Sequence, residues 1–279
     1  MEKIKILDLK NDGMNLVVHD EHLYIRCNRS IYKYNLTNMQ LAAENTVFKK
    51  DGKARGFSIF NNFVFLFDFL DIYILNKDDL KLISSLRIGE NLSSDICGII
   101  WFDPPRAYIK IRNGWIYVLD IETNKLEKTQ ISDSSFWSDC ITENELFVGT
   151  VNGELLDIDK KTLEASRRIQ LCKKNIYSIV YENGLLYTTS QDQTIKVIDA
   201  ASFKTICVAK KAVTGMVNII GIYKDNIIVA GERNPLTFWD KNTLQKRGSA
   251  DFPQNRSSVI SGDVLYGGDD DGVYKVVLT

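Results

Sequence analysis

The amino-acid sequence predicts an all-β chain of seven four-stranded sheets set around one axis, and three observations predict it. The first is a motif that recurs about every 40 residues: IYKYNLTNMQL (31–41), IYILNKDDLKL (72–82), IYVLDIETNKL (116–126), LLDIDKKTLEA (155–165), IKVIDAASFKT (195–205) and LTFWDKNTLQK (236–246). Each copy is a β-rich run, an Asp or Asn, a polar turn and a new apolar run. The anchors Asn35, Asn76, Asp120, Asp159, Asp199 and Asp240 are spaced by 41, 44, 39, 40 and 41 residues. The second is a weaker seventh copy, GVYKVV (272–277), with Val277 at the anchor. The third is the content between anchors: short runs rich in Ile, Val, Tyr and Phe, separated by turn residues, with no helical pattern. Repeats of this length mark solenoids or propellers.

The fifth repeat shows the four strands in order. NIYSIVY (175–181) leads through Glu182-Asn183-Gly184 into LLYTTS (185–190), then Gln191-Asp192-Gln193, TIKVID (194–199), a turn and FKTICVA (203–209). Asn-Gly between alternating apolar runs is a strong hairpin signal, because both central residues need positive φ. Asp20-Glu21, Asn61-Asn62, Asn144-Glu145, Asp225-Asn226 and Gly262-Asp263 hold the same place in other repeats. The four prolines (104, 105, 235 and 253) are all expected in loops. One four-stranded sheet cannot bury both its faces; seven stacked radially can. The expected fold is thus a seven-bladed β-propeller, one domain over 1–279, with blades near 14–48, 56–88, 95–131, 137–170, 175–209, 216–252 and 257–279. The last repeat stops after its third strand, VYKVVL (273–278), while KIKIL (3–7) precedes any complete repeat. KIKIL (with the last blade completed by 3–8) is therefore expected to close the ring.

On these residues the chain resembles the WD-repeat β-propeller family. The best local match is GLLYTTSQDQTIKVIDAASFKTI (184–206), where Ser190, Asp192, Thr194 and Asp199 fall on that family's third-strand signature; Trp239-Asp240 is a literal Trp-Asp pair. The resemblance implies a protein-interaction scaffold. The family's Gly-His dipeptide is absent, and the two histidines, His19 and His22, share one turn. The blades are therefore expected to rest on apolar packing and turn chemistry instead of the family's buried Asp–His–Ser/Thr–Trp network. A quinoprotein-like propeller is disfavoured, because the Thr of DIETN, DKKT and DKNT is never followed by Gly.

Composition bounds the function classes. A net charge of −1 and a pI near 6.2 create no global field toward nucleic acid or anionic membrane. No apolar run of 18 or more residues is present, and MEKIKILDLKND lacks the apolar core of a secretory signal. Five scattered cysteines without Cys-x-x-Cys fit thiols in a reducing cytoplasm. The expected state is a cytoplasmic chain, monomeric on its own.

A propeller presents two rims: interblade loops with second-to-third-strand turns on one, the remaining turns on the other. The interblade loops carry Lys49, Lys50, Lys53, Arg55, Lys173, Lys174, Lys210, Lys211 and Arg256 against Asp51, Glu90, Asp95, Asp133 and Asp251. Arg233 joins that rim from a second-to-third-strand turn, together with Asp192, Asp269, Asp270 and Asp271. This basic rim is the candidate site for an acidic or phosphorylated partner segment; the plainer alternative is a set of solvated turn residues. Phe136-Trp137, read as interblade loop, and Trp101-Phe102-Asp103-Pro104-Pro105-Arg106, read as an interruption of the third blade, add aromatic candidates, Trp137 foremost. RNA is a weaker reading through the Lys pairs, against a neutral net charge.

Chemistry of its own is poorly supported. His19-x-x-His22 lacks a third zinc ligand, and Gly268-Asp269-Asp270-Asp271-Gly272 lacks the spacing and distal Glu of a calcium hand. No nucleophile elbow, Walker loop or dinucleotide fingerprint is present. No cofactor, metal or catalytic residue is expected. A channel-centred small-ligand or metal-dependent enzyme remains the alternative, its polar candidates being Asn15, Ser58, Asp95, Asp139, Ser178 and Asn218 on the innermost strands.

Overall fold

The computed structural model describes residues 2–9, 14–27, 29–47, 56–68, 70–88, 96–231, 234–252, 257–269 and 271–278. They form 28 strands and no helix. β1 (Lys3–Leu7) comes first. Blade one is β2 (Met14–His19), β3 (His22–Cys27), β4 (Ser30–Asn35) and β5 (Leu41–Thr46); blade two is β6 (Gly56–Phe60), β7 (Phe63–Phe67), β8 (Asp71–Asn76) and β9 (Leu82–Arg87). Blade three is β10 (Ile96–Asp103), β11 (Arg106–Ile111), β12 (Trp115–Asp120) and β13 (Leu126–Gln130); blade four is β14 (Phe136–Ile141), β15 (Glu145–Thr150), β16 (Glu154–Asp159) and β17 (Ala165–Gln170). Blade five is β18 (Ile176–Glu182), β19 (Leu185–Ser190), β20 (Ile195–Asp199) and β21 (Thr205–Ala209); blade six is β22 (Val217–Tyr223), β23 (Asn226–Gly231), β24 (Asn234–Asp240) and β25 (Lys246–Ala250). Blade seven is β26 (Ser258–Ser261), β27 (Val264–Asp269) and β28 (Gly272–Val277).

Each blade is a four-stranded meander, and β1 completes the seventh by pairing antiparallel with β28, Lys3 facing Val276 and Lys5 facing Tyr274. The architecture is a seven-bladed β-propeller, as the repeat predicts. The chain groups into two compact units, residues 1–109 with 118–126 and 255–279, and residues 110–117 with 127–254. In the first, β26 lies against β2, β2 against β6 and β6 against β10; in the second, β14 lies against β18 and β18 against β22.

The recurring anchor is a turn, and its chemistry repeats. At the end of β4, β8, β12, β16, β20 and β24, the anchor side chain accepts backbone N–H groups two or three residues on. Thr37 donates to Asn35 at 2.8 Å, Asp78 to Asn76 at 2.7 Å, Thr123 to Asp120 at 2.8 Å, Thr162 to Asp159 at 2.8 Å, Ser202 to Asp199 at 2.7 Å and Thr243 to Asp240 at 2.8 Å. Such Asx turns are what the short Asp and Asn side chains favour. Four residues past the anchor the backbone turns left-handed, at Met39, Leu80, Asn124, Leu163, Phe203 and Leu244, with φ between 53° and 57°.

That conformation costs an L-residue roughly 1–2 kcal/mol. Burial offsets the cost. Leu80, Leu163, Phe203 and Leu244 are buried, and a fully buried Leu or Phe contributes about 1.5–3 kcal/mol. The apolar plug enters the core shared with the preceding blade: Leu80 with Tyr24 and Ile31, Phe203 with Phe147 and Leu155, Leu244 with Tyr187 and Val197. The preceding blade also grips the turn. Asn45 donates to the Leu80 carbonyl at 2.6 Å, and Arg167 donates to the Ala200 and Ala201 carbonyls while its guanidinium lies over Phe203. Arg167 in turn neutralises the buried Asp157, at 2.6 Å.

Two expectations need correction. Pro235 lies in β24, not in a loop. The register shifts between Val229 and Gly231 opposite it, so the missing N–H falls where the ladder is already broken. Residues 101–106 do not interrupt blade three: β10 runs through Trp101 to Asp103, Pro104 and Pro105 make the first hairpin turn, and Arg106 opens β11. Trp101 is buried, stacked on Tyr108 at 3.8 Å. Pro253 lies outside the described residues.

Deleting residues 1–8 removes β1 and opens the edge of β28. A thermal melt followed by circular dichroism is expected to drop by more than about 10 °C, given that 1 kcal/mol moves a domain of this size by roughly 2–4 °C; an unchanged midpoint would refute the closure.

The anchor carboxyls also set an acid limit. The Thr243 N–H, foremost, with help from Asn242 and Arg247, holds the Asp240 carboxyl at about 2. Backbone and hydroxyl donors also hold Asp120, Asp159 and Asp199 below their ordinary range: the Thr123 N–H, the Thr162 N–H and the Ser202 hydroxyl respectively. A carboxyl whose folded value is depressed stabilises the native state above its unfolded value, near 3.9, and loses that contribution as pH falls through the folded value. Urea midpoints are therefore expected to fall between about pH 4 and pH 2, and Asp240→Asn is expected to flatten part of that fall.

Candidate functional site

In the second unit the blade ends facing the interblade loops are tied together by main-chain bonds. The Gln191 N–H donates to Asn175 O at 2.9 Å, and the Ala212 N–H donates to Gln193 O at 3.0 Å. The turn of blade five between β19 and β20 is thereby clamped between the loop that enters the blade (171–175) and the loop that leaves it (210–216). In blade four Gly153 plays the matching part at φ 82°; a Cβ there would collide with the Cys172 carbonyl.

Four candidate residues stand on these loops. Lys173 and Lys174 sit on the loop before β18, Lys210 and Lys211 on the loop before β22, and all four are exposed. Lys211 is left-handed, with φ 52°. Trp137 is exposed too (40%), but it belongs to β14 and not to a loop, a correction to the sequence reading. Strand pairing starts earlier than the Ser-rich stretch suggests, because Phe136 is buried and pairs with Thr150. The Trp137 ring meets Tyr177 edge-on at 6.1 Å, which places an aromatic pair at the start of β14 and β18, next to the loop of Lys173 and Lys174. Beyond Lys210 and Lys211, Ala212, Val213, Val217, Val229, Pro235 and Thr237 line a cavity of about 110 Å³, with Lys246 also at its wall. Lys49, Lys50, Lys53, Arg55, Arg233 and Arg256 lie outside the described residues.

A polar network holds the loop of Lys173 in place. Asp192 accepts from the Thr194 hydroxyl at 2.6 Å and from the Lys173 backbone N–H, and the Lys196 ammonium lies 3.9 Å away. Burial raises the Asp192 carboxyl, but Thr194, Lys196, Ser190 and the Lys173 N–H outweigh it and leave the group below its usual range. Lys196 is itself buried, donating to Leu171 O and to the Cys172 thiol at 3.1 Å. The expectation that the blades rest on apolar packing and turns alone is thus too narrow in blade five. A buried lysine from β20 supplies a positive charge beside Asp192.

Four of the six polar candidates of the innermost strands, Asn15, Ser58, Asp139 and Ser178, are engaged as well, while Asn218 lies on β22. Arg26 donates to Asn15 at 3.0 Å, and Lys110 donates to Asp139 and to Trp137 O. The Ser58 hydroxyl donates to Ile99 O of the next blade at 3.2 Å, and the Ser178 hydroxyl accepts from the Ile219 N–H at 2.9 Å. Ser138 and Thr189 make similar bonds to Ile176 O and Val217 O. Asp95 lies outside the described residues. The signal that sequence reading passed over is the lysine inside an apolar run: Lys33 in IYKYN, Lys110 in AYIKI and Lys196 in IKVI are all buried. His19 and His22 face each other across a hairpin whose Asp20 pairs with Lys77 at 2.9 Å, and Asp271 binds Lys5 and Tyr274. Among the described residues no cluster of three or more His, Cys, Asp or Glu could hold a metal ion, and no helix is long and apolar enough to cross a membrane.

Asp192→Ala is expected to release the loop: hydrogen exchange at the Lys173 amide should quicken by about tenfold or more, as befits a charge-assisted bond, while amides in β19 keep their protection. An unchanged Lys173 rate would remove Asp192 from this role.

No family model matches the chain, and no curated protein does. Solved structures do. A chain in the crystal structure of a mitotic checkpoint complex aligns with TM-score 0.82 at 13% identity, over 99% of this chain and 93% of that one. The crystal structure of the computationally designed Ika8 protein aligns with TM-score 0.76 at 12% identity, over 99% of this chain and all of that one (100%). At such identities the likeness establishes the fold alone, the seven-bladed β-propeller.

Proposed function

We propose that this chain is a divergent WD-repeat propeller that acts as a non-catalytic interaction scaffold in a reducing, cytoplasmic setting. Its partner is an acidic or phosphorylated protein segment held on the basic rim. The carrying observation is the presence of two exposed lysine loops, Lys173-Lys174 and Lys210-Lys211, with an exposed aromatic at Trp137 and a small cavity of mixed lining beside the second loop. Lysine ammonium groups make charge-assisted contacts to carboxylates and phosphates, Trp is a frequent binding anchor, and a cavity of this size suits one aliphatic side chain. The other basic residues of the rim as read from the sequence, Lys49, Lys50, Lys53, Arg55, Arg233 and Arg256, are outside the described set and add nothing to this support. WD-repeat membership draws support from the Ser190–Asp192–Thr194 hydrogen bonds, which realise the matched signature in space.

The enzyme alternative has less support. A channel catalyst needs polar groups free to meet a ligand, whereas Asn15, Ser58, Asp139 and Ser178 already bind neighbouring side chains or backbone. The RNA reading is separated by nuclease treatment and salt dependence, since phosphate contacts weaken steeply with salt.

The test is a fluorescence-anisotropy titration with two probes, a labelled acidic peptide and its phosphoserine counterpart. Converting Lys173, Lys174, Lys210 and Lys211 to Glu should weaken binding by about a hundredfold or more, and Trp137→Ala by about tenfold. Equal affinity in the reversed variant, with an unchanged melting temperature, would reject the basic rim.

A further inference from the structure

The outer edge of blade five is unlike its counterparts. β21 ends its sheet, and no described strand pairs with its far side. Its sequence is Thr-Ile-Cys-Val-Ala, without a charge, whereas β1, β5, β9, β13, β17 and β25 each carry at least one Lys, Arg or Glu. Charged side chains are the usual means by which an edge strand is kept from pairing with another chain. Here that protection is missing, and β-branched residues favour an added strand. Ile206 (59% exposed) and Val208 (39%) face solvent, while Cys207 and Ala209 pack against the core shared with blade six. The ladder with β20 is irregular near Ile206 and regular from Cys207 to Ala209, opposite Val197 to Ile195. Exposed lysines, Lys204 and Lys210, flank the strand.

We propose that the open edge of β21 accepts an extended segment of a partner protein as a fifth strand of the blade. Backbone hydrogen bonds would supply affinity, and alternate side chains specificity. The charges define the segment. Its apolar residues would lie opposite Ile206 and Val208, and a carboxylate would lie opposite Lys210, because opposite charges across strands attract and like charges repel. The same argument disfavours a second copy of this chain. A two-fold pairing centred on Cys207 would set Lys210 against the other copy's Lys204, twice over; one centred on Val208 would set Lys210 against Ile206. This surface shares Lys210 with the proposed rim but not Lys173 or Lys174, and its argument from the uncharged edge does not depend on the rim reading.

The probe is a labelled synthetic peptide, Glu-Thr-Val-Thr-Val-Thr-Glu, with a version bearing Lys at both ends and two versions N-methylated at alternate residues. Binding is read by anisotropy and by amide hydrogen exchange. The acidic peptide should bind and slow exchange over 205–210; Ile206→Lys should weaken it by about tenfold or more, as should Lys ends and one of the two methylation patterns. Lys173→Glu with Lys174→Glu should leave it unchanged, and Ile206→Lys should melt with the parent, since that side chain touches mostly water. No binding at a peptide concentration on the order of 1 mM, or binding indifferent to Ile206→Lys and to both methylation patterns, would overturn the proposal. So would a dimer, seen by sedimentation, that Ile206→Lys abolishes, because it would give the edge to a second copy.

Discussion

The structure depends on the turn that follows the third strand in blades one to six. There the chain stops a strand, takes up one or two backbone N–H groups on an Asp or Asn side chain and turns left-handed four residues on; in blades two, four, five and six that residue is a buried Leu or Phe, and in blades two, five and six it joins the core shared with the preceding blade. A four-stranded sheet with two apolar faces has no stable existence in water by itself. The turn solves both halves of that problem: it completes its own blade and plugs the core of its neighbour. In the seventh blade Val277 stands at the anchor position, and β1 completes the sheet beside β28.

Buried lysines form a second layer of ties. An ammonium group withdrawn from water costs several kcal/mol unless donors and charge are met. Lys33 spends its protons on the Lys77 and Asp78 carbonyls, Lys110 on Asp139 and the Trp137 carbonyl, Lys196 on the Leu171 carbonyl and Cys172. Each crosses from a strand to a turn, loop or strand that must be held still. Desolvation also pushes up the Cys172 thiol, and Cys140 to about 11, so neither is an activated nucleophile at neutral pH. These groups belong to the scaffold. In the proposed reading, recognition falls instead to exposed loops and to one uncharged strand edge. That division suits a propeller, in which rigid blades carry surfaces that vary without cost to the core.

Much of this was readable from residue order alone. The period, the blade count, the closing role of KIKIL and the hairpin positions follow from local signals: Asx and Asn-Gly turns and the alternation of apolar residues act over a few residues and leave their mark in the sequence. The lysine pairs on the loops were likewise visible. Tertiary structure alone decided which polar groups are spent and which are available. Asp139 and Ser178 resemble channel-lining candidates in sequence, yet Lys110 and the Ile219 backbone claim them. Trp101 and Trp137 have similar settings in sequence, yet one is stacked away on Tyr108 and the other stands in solvent. The physical reason is range. A turn is written by neighbours in the chain, whereas a hydrogen-bond partner or a packed face comes from a blade about forty residues away, and no local pattern records it.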